Sequence, residues 1–213
     1  MQLRILLKSA AFIFVLILAD VVLISCYKSK TYKYKYADAH VEIMEADSTH
    51  ERYTGTDNEQ VDAEKLFLDV HLTSDLIAQA AAPQGFFLNP ALAMQPNEDF
   101  YINTSRLKSI KIKTRHDYNA NYPANSDITG ICVFGLGGQR HKAETFTDTE
   151  FIEKYNRYLE ENSKILVSHI PSGFFWFRPV EKAQTATAQQ IQVILEMEDG
   201  STLTDNSMIF RLK

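Results

Sequence analysis

Several short stretches of the chain alternate apolar and polar residues with a period of two, the pattern a strand imposes by sending successive side chains to opposite faces. Ala37, Ala39, Val41 and Ile43 share one side, with Asp38, His40 and Glu42 on the other. Leu66, Leu68, Val70 and Leu72 alternate with Phe67, Asp69 and His71 in a second stretch. In a third, over Leu107 to Arg115, Ile110 and Ile112 alternate with Ser109, Lys111, Lys113 and Arg115, giving a basic outer face of the kind that protects a sheet edge. Ile131–Phe134 reads as a further strand. Near the C-terminus Ile191, Val193, Leu195 and Met197 alternate with polar residues, Asp199-Gly200 supplies the positive dihedrals of a tight turn, and Met208, Phe210 and Leu212 return as the second arm of a hairpin.

One long stretch has the helical period instead. Thr147-Asp148-Thr149-Glu150 fits a capping box. Phe151, Tyr155, Tyr158 and Leu159 then make an apolar stripe opposite Glu153, Lys154, Arg157 and Glu161, and the helix should stop near Asn162. A shorter helix is expected from Ser74 to Ala82, because Leu76 to Ala81 are good helix formers and Pro83 would end it. Ala46 to Gln60 is polar and reads as a surface loop, and Asp117 to Asp127 as another. Pro83 to Glu98, with three prolines and a glycine, reads as an irregular connection. Gly135-Leu136-Gly137-Gly138 lacks the spacing and the Lys-Ser/Thr pair of phosphate-binding loops and reads as a flexible turn. Many strands and little helix imply a mainly β fold: an antiparallel β-sandwich, Ig-like or related, with one packed or inserted α-helix.

Phe174-Phe175-Trp176-Phe177 cannot be an ordinary half-exposed strand. Period two sends Phe174 and Trp176 to one face and Phe175 and Phe177 to the other, so both faces need cover. An opposing sheet can serve one, and the helix stripe of Phe151, Tyr155 and Leu159 is the nearest candidate for the other. Cover from within the chain is the expectation, since leaving large side chains wet forfeits about 1.5–3 kcal/mol apiece. If nothing covers them, these four residues form a possible binding patch.

The N-terminus has a different character. Arg4 and Lys8 precede a continuously apolar run, Ala10 to Ala19, and the small residue Ser25 sits directly before Cys26, the three-part layout of a secretory signal. An uncleaved spanning helix is the competing reading. Asp20 argues against it, because a carboxylate near the centre of a spanning helix costs about 2.5–3.5 kcal/mol. Leu23-Ile24-Ser25-Cys26 resembles the lipobox of bacterial lipoproteins. That resemblance implies removal of residues 1–25 and a diacylglycerol on the Cys26 thiol, giving a lipidated tether over 26–35 and a single β-sandwich domain over 36–213. Tyr27 to Tyr36 is basic and aromatic, so it is either a second membrane contact, at about 1 kcal/mol per lysine near anionic headgroups, or a spacer leading into a first strand. Lys28 and Lys30 depart from the acidic cluster that follows the cysteine in lipoproteins exported to the cell surface, so the expected location is the outer membrane, facing the periplasm. Taken whole, the chain is similar to small uncharacterised lipoproteins of Gram-negative anaerobes, a resemblance that implies no activity.

An apolar fraction of 45% and a charged fraction of 23% exclude wholesale disorder. A net charge of -5 is too mild to suggest nucleic acid as a partner. If Cys26 carries a thioether, Cys132 has no internal disulfide partner and reads as a small buried apolar side chain. The histidines, His40, His50, His71, His116, His141 and His169, fall in no recognised spacing. His-Glu-x-x-His, Gly-x-Ser-x-Gly and Cys-His signatures are missing, so no catalytic residue, metal ligand or cofactor is expected. A membrane-anchored binding or scaffolding module follows, its ligand an envelope protein or a glycan. The alternative is an envelope hydrolase or glycan-binding lipoprotein.

Overall fold

A computed structural model describes residues 31–213 apart from 48–49, 55, 81–98, 138–139, 141–142, 162–164, 168–171 and 185–186. In chain order the strands are β1 (Thr31–Ala46), β2 (Glu51–Tyr53), β3 (Glu59–Val61), β4 (Leu66–Ala80), β5 (Asp99–Asn103), β6 (Leu107–Thr114) and β7 (Cys132–Gly135). The helix α1 (Asp148–Glu161) follows, then β8 (Ile165–Val167), β9 (Gly173–Pro179), β10 (Ala188–Gln189), β11 (Ile191–Met197), β12 (Thr202–Asn206) and β13 (Phe210–Leu212). The large sheet has the order β7-β9-β4-β1-β5-β8, with β2 added to the far end of β1; two smaller sheets run β12-β11-β6 and β10-β13-β3. All pairings between these strands are antiparallel except β1 with β5 and β13 with β3. The fold is therefore a mainly β, antiparallel sandwich-like arrangement with one α-helix among the described residues.

The β1–β4 pair is the spine. Alternation places Val41, Ile43, Leu66, Leu68, Val70 and Leu72 on the inner face, where they join Ile110, Ile112, Ile191, Val193 and Leu195 of the smaller sheet in one apolar core. A register shift between Tyr36 and Asp38 breaks the period. Tyr34 and Tyr36 are buried ahead of it and Ala39 after it, so Ala37, expected inside, is exposed.

Three other expectations are corrected. Ser74 to Ala80 is strand rather than helix: β1 offers a pairing edge from Thr31 to Tyr36, and a full ladder outweighs helix preferences of a few tenths of a kcal/mol per residue. The polar stretch Ala46 to Gln60 contains β2 and the start of β3. The C-terminal hairpin turns at Gly200 (φ 84°), but its returning arm is β12; β13 crosses to the third sheet, and Met208 is exposed.

The helix begins as a capping box. The Thr147 backbone N–H and hydroxyl both donate to Glu150 Oε2, at 3.0 and 2.9 Å. Phe151 and Tyr155 are buried, Phe151 stacking on Phe134 (5.2 Å) and meeting Phe175 at a tilt (4.9 Å). Tyr158, assigned to the same stripe, is instead exposed, and Asn156 takes an interior position. Its amide mimics a neighbouring strand at the open edge of β6: Oδ1 accepts from Leu107 N–H at 2.9 Å, and Nδ2 donates to Leu107 C=O at 2.8 Å.

Candidate binding face on the large sheet

The side chains that point away from the core along β1, β4 and β9 form aligned rows. Register sets His40 beside His71 and His71 beside Phe174; it sets Glu42 beside Asp69 and Asp69 beside Trp176. A third row brings Met44 beside Phe67, with Tyr53 of β2 opposite Met44.

One end of this face is a small second core of Met44, Ala46, Phe67 and Trp176, all buried. Phe67 meets Trp176 edge-on at 5.3 Å, and the Arg178 guanidinium lies 5.6 Å over the Phe67 ring. The segment after β7 closes over it. Trp176 Nε1 donates to the Gly137 carbonyl at 3.1 Å, and Gly137 takes a positive φ of 61°. Gly135 lies against the indole so tightly that a Cβ would fall 2.1 Å from a ring carbon. Gly135 and Gly137 are thus fitted to Trp176, one by close packing and the other by its carbonyl.

The aromatic run divides accordingly. Phe175 and Phe177 are buried in the main core, where Phe151 and Tyr155 of α1 reach Phe175, and Trp176 is buried in the small one. Phe174 alone of the four reaches the surface in part, 5.1 Å from the His71 ring and 5.7 Å beneath the Arg140 guanidinium.

A buried ion pair sits at the centre of the face. Arg140 grips Asp69 with two bonds, Nε to Oδ1 at 3.2 Å and Nη2 to Oδ2 at 2.5 Å. Its Nη1 lies 2.9 Å from Glu51 Oε1, and the Tyr53 hydroxyl donates to Asp69 Oδ2 at 3.2 Å. Burial pushes the Asp69 carboxyl above the ordinary aspartate range; Arg140 pulls the other way without cancelling it. The same burial, with the Asp69 charge close by, raises the Tyr53 phenol.

Around the pair runs a polar strip open to solvent. Glu42 lies 3.5 Å from His71 Nε2 and 3.6 Å from His40 Nε2, and His40 Nδ1 lies 3.3 Å from Asp205 Oδ2. Asp205, on β12, also accepts from the Val41 N–H at 2.8 Å, which ties the edge of the second sheet to the open middle of β1. Imidazoles, carboxylates and a half-exposed tyrosine can together hydrogen-bond and stack on a polar ligand. No cluster of three or more metal-ligating side chains occurs among the described residues.

Of the six histidines, His40 and His71 are brought together. His50 is exposed beside Asp47, His116 is exposed, and His141 and His169 lie outside the described residues, as does Cys26. Cys132 is free and buried; its Sγ donates to Ile128 C=O at 3.3 Å, and burial drives the thiol pKa up, which makes it unreactive. Sequence reasoning missed Asp69, Arg140 and Tyr53. A signal did exist for Asp69, a lone carboxylate on the outward side of β4 between Phe67 and His71. Arg140 has none, since it stands outside any periodic stretch.

Comparison with protein-family models, curated proteins and solved structures finds no match to this chain. No helix among the described residues is long and apolar enough to cross a membrane.

Proposed function

We propose that this chain is a lipid-anchored protein of the bacterial cell envelope, held through Cys26 at the outer membrane and facing the periplasm, whose sandwich is a binding or scaffolding module. The anchor rests on Leu23-Ile24-Ser25-Cys26 and the basic-apolar segment before it. The ligand surface is the outer face of the large sheet, and the observation that carries this assignment is the Asp69–Arg140 pair buried beneath it. A buried ion pair loses much of its attraction to desolvation, and an apolar pair of the same size would hold the sheet equally well. What the charged pair adds is position: it locks Glu51, Tyr53 and Phe174 around one guanidinium, so the polar strip is presented preformed.

The arrangement favours binding over catalysis. His40 lies between Glu42 and Asp205 on the open surface of the sheet, where its imidazole and the two carboxylates can hydrogen-bond a ligand. Tyr53, half-exposed with its hydroxyl fixed by Asp69, offers a ring to stack on, and the flanking carboxylates and imidazoles suit the hydroxyl groups of a glycan. An envelope protein with a polar surface is the other candidate ligand.

A glycan array probed with the full-length protein tests this reading. Binding should be lost in Tyr53→Ala and in His40→Ala and persist in Lys108→Ala, which changes a cation of β6 paired with Glu196. Glycan binding unaffected by all three would place the ligand surface elsewhere; no glycan binding would leave an envelope protein as the ligand.

A further inference from the structure

We propose that the end of the sandwich where β1 begins faces the membrane, and that Leu76 and Ile77 rest in the interfacial layer of the bilayer that holds the Cys26 lipid. The inference rests on the lipid-anchor reading above and adds to it an orientation and a contact surface.

Chain length supplies the first reason. Thr31 opens β1 only five residues beyond Cys26, and at about 3.3–3.6 Å per residue the strand start stands no more than roughly 18 Å from the lipid-bearing sulfur. The sandwich therefore hangs by this end, close to the headgroups. Pairing then says what else lies there. Antiparallel to the start of β1 runs the end of β4, with Tyr34 opposite Leu76 and Lys33 opposite Ala78, and a register shift leaves Ile77 as the extra residue between them.

Exposure is the second reason. Leu76 is 47% and Ile77 48% exposed, and among the exposed large apolar side chains of the described residues they are the adjacent pair; Tyr53, Tyr158, Val180 and Met208 stand singly in sequence. Two neighbouring aliphatic side chains exposed among the described residues at the tethered end would leave water by meeting the apolar edge of the bilayer.

Charge is the third. Lys28, Lys30 and Lys33 fall within seven residues of Cys26 and suit anionic headgroups. Lys33 is exposed, whereas Lys35 lies opposite Asp75 and bears on Asp199, so it is already matched. Along the sequence, no charged residue follows Asp75 until Glu98, so no carboxylate adjoining Ile77 on that side would resist the contact.

The test uses full-length protein expressed with its own signal and reconstituted into vesicles of phosphatidylethanolamine and phosphatidylglycerol doped with headgroup-nitroxide lipid. A fluorophore is placed through Leu76→Cys, Ile77→Cys or Val180→Cys in separate samples. Val180 is an exposed control: it follows β9, whose Phe177 pairs with Leu68, about 30 Å along β4 from Ile77. Cys132 is buried and does not compete for the label. Quenching should be several-fold greater at 76 and 77 than at 180. Intact mass of each sample reports whether Cys26 carries lipid. Equal quenching at all three positions in lipidated protein overturns the orientation and leaves the anchor standing. An unmodified Cys26 overturns the anchor, and the orientation falls with it.

Discussion

Asp69 shows how one side chain sets the character of a surface. It is fully buried on the side of the sheet that faces away from the main core, a position that alternation alone would leave in water. It stays there because Arg140 and Tyr53 satisfy its oxygens. Removing one partner strands a buried charge, so Arg140→Ala should cost about 3–5 kcal/mol, while Asp69→Leu combined with Arg140→Met should cost much less. Denaturant titration of the three proteins checks this; equal losses in the single and double variants would contradict it. The same carboxyl gives a pH signature. Its folded pKa is raised, so its contribution to stability is present below the ordinary aspartate range and is lost as pH rises through the raised value. Glu150, held low by Thr147, and Glu196, held low by Lys108, run the opposite way, losing their contributions as pH falls. The melting temperature of the wild type relative to Asp69→Asn should therefore decline as pH is raised from 4 toward neutrality. A constant difference would contradict the raised pKa.

Among the elements, α1 contributes more than apolar cover, because Asn156 finishes the β6 ladder from the side. Asn156→Leu would leave the Leu107 N–H and C=O buried without partners, at about 1–3 kcal/mol for each group. A lower denaturation midpoint with an unchanged circular dichroism spectrum is the expected result, and an unchanged midpoint would contradict the role. What was legible in the sequence at this scale was what local chemistry decides. The capping box of Thr147 and Glu150, the inward alternation of β11 and the turn at Gly200 all depend on residues within a few positions of one another. The second half of β4 was not legible, because Leu76 to Ala80 have helical preferences and become strand only by pairing with β1, more than forty residues earlier. The exchange of Met208 and Phe210 for Thr202 to Asn206 as the returning arm had a similar cause: both segments alternate, and the turn after β11 leads directly into the nearer one. Arg140 and Asn156 act through tertiary placement, and nothing in their neighbours announces it.

For the whole molecule, β1 joins the proposed lipid site to the candidate binding face. It starts five residues after the proposed lipid site and carries Tyr34 and Tyr36 into the core. Further along it presents His40 and Glu42 on the candidate binding face. From Thr31 to Glu42 the strand rises by roughly 36 Å, so if the sandwich stands on its tethered end, the polar strip is held well clear of the headgroups, where an envelope ligand can reach it. This depends on Cys26 being the true first residue of the mature protein. Mass spectrometry of the mature N-terminus, taken from the membrane fraction of a Gram-negative host, is the direct measurement. The expected species begins at Cys26 and carries a diacylglyceryl thioether; an intact Met1, or a membrane-bound protein with unmodified Cys26, would contradict the lipid anchor.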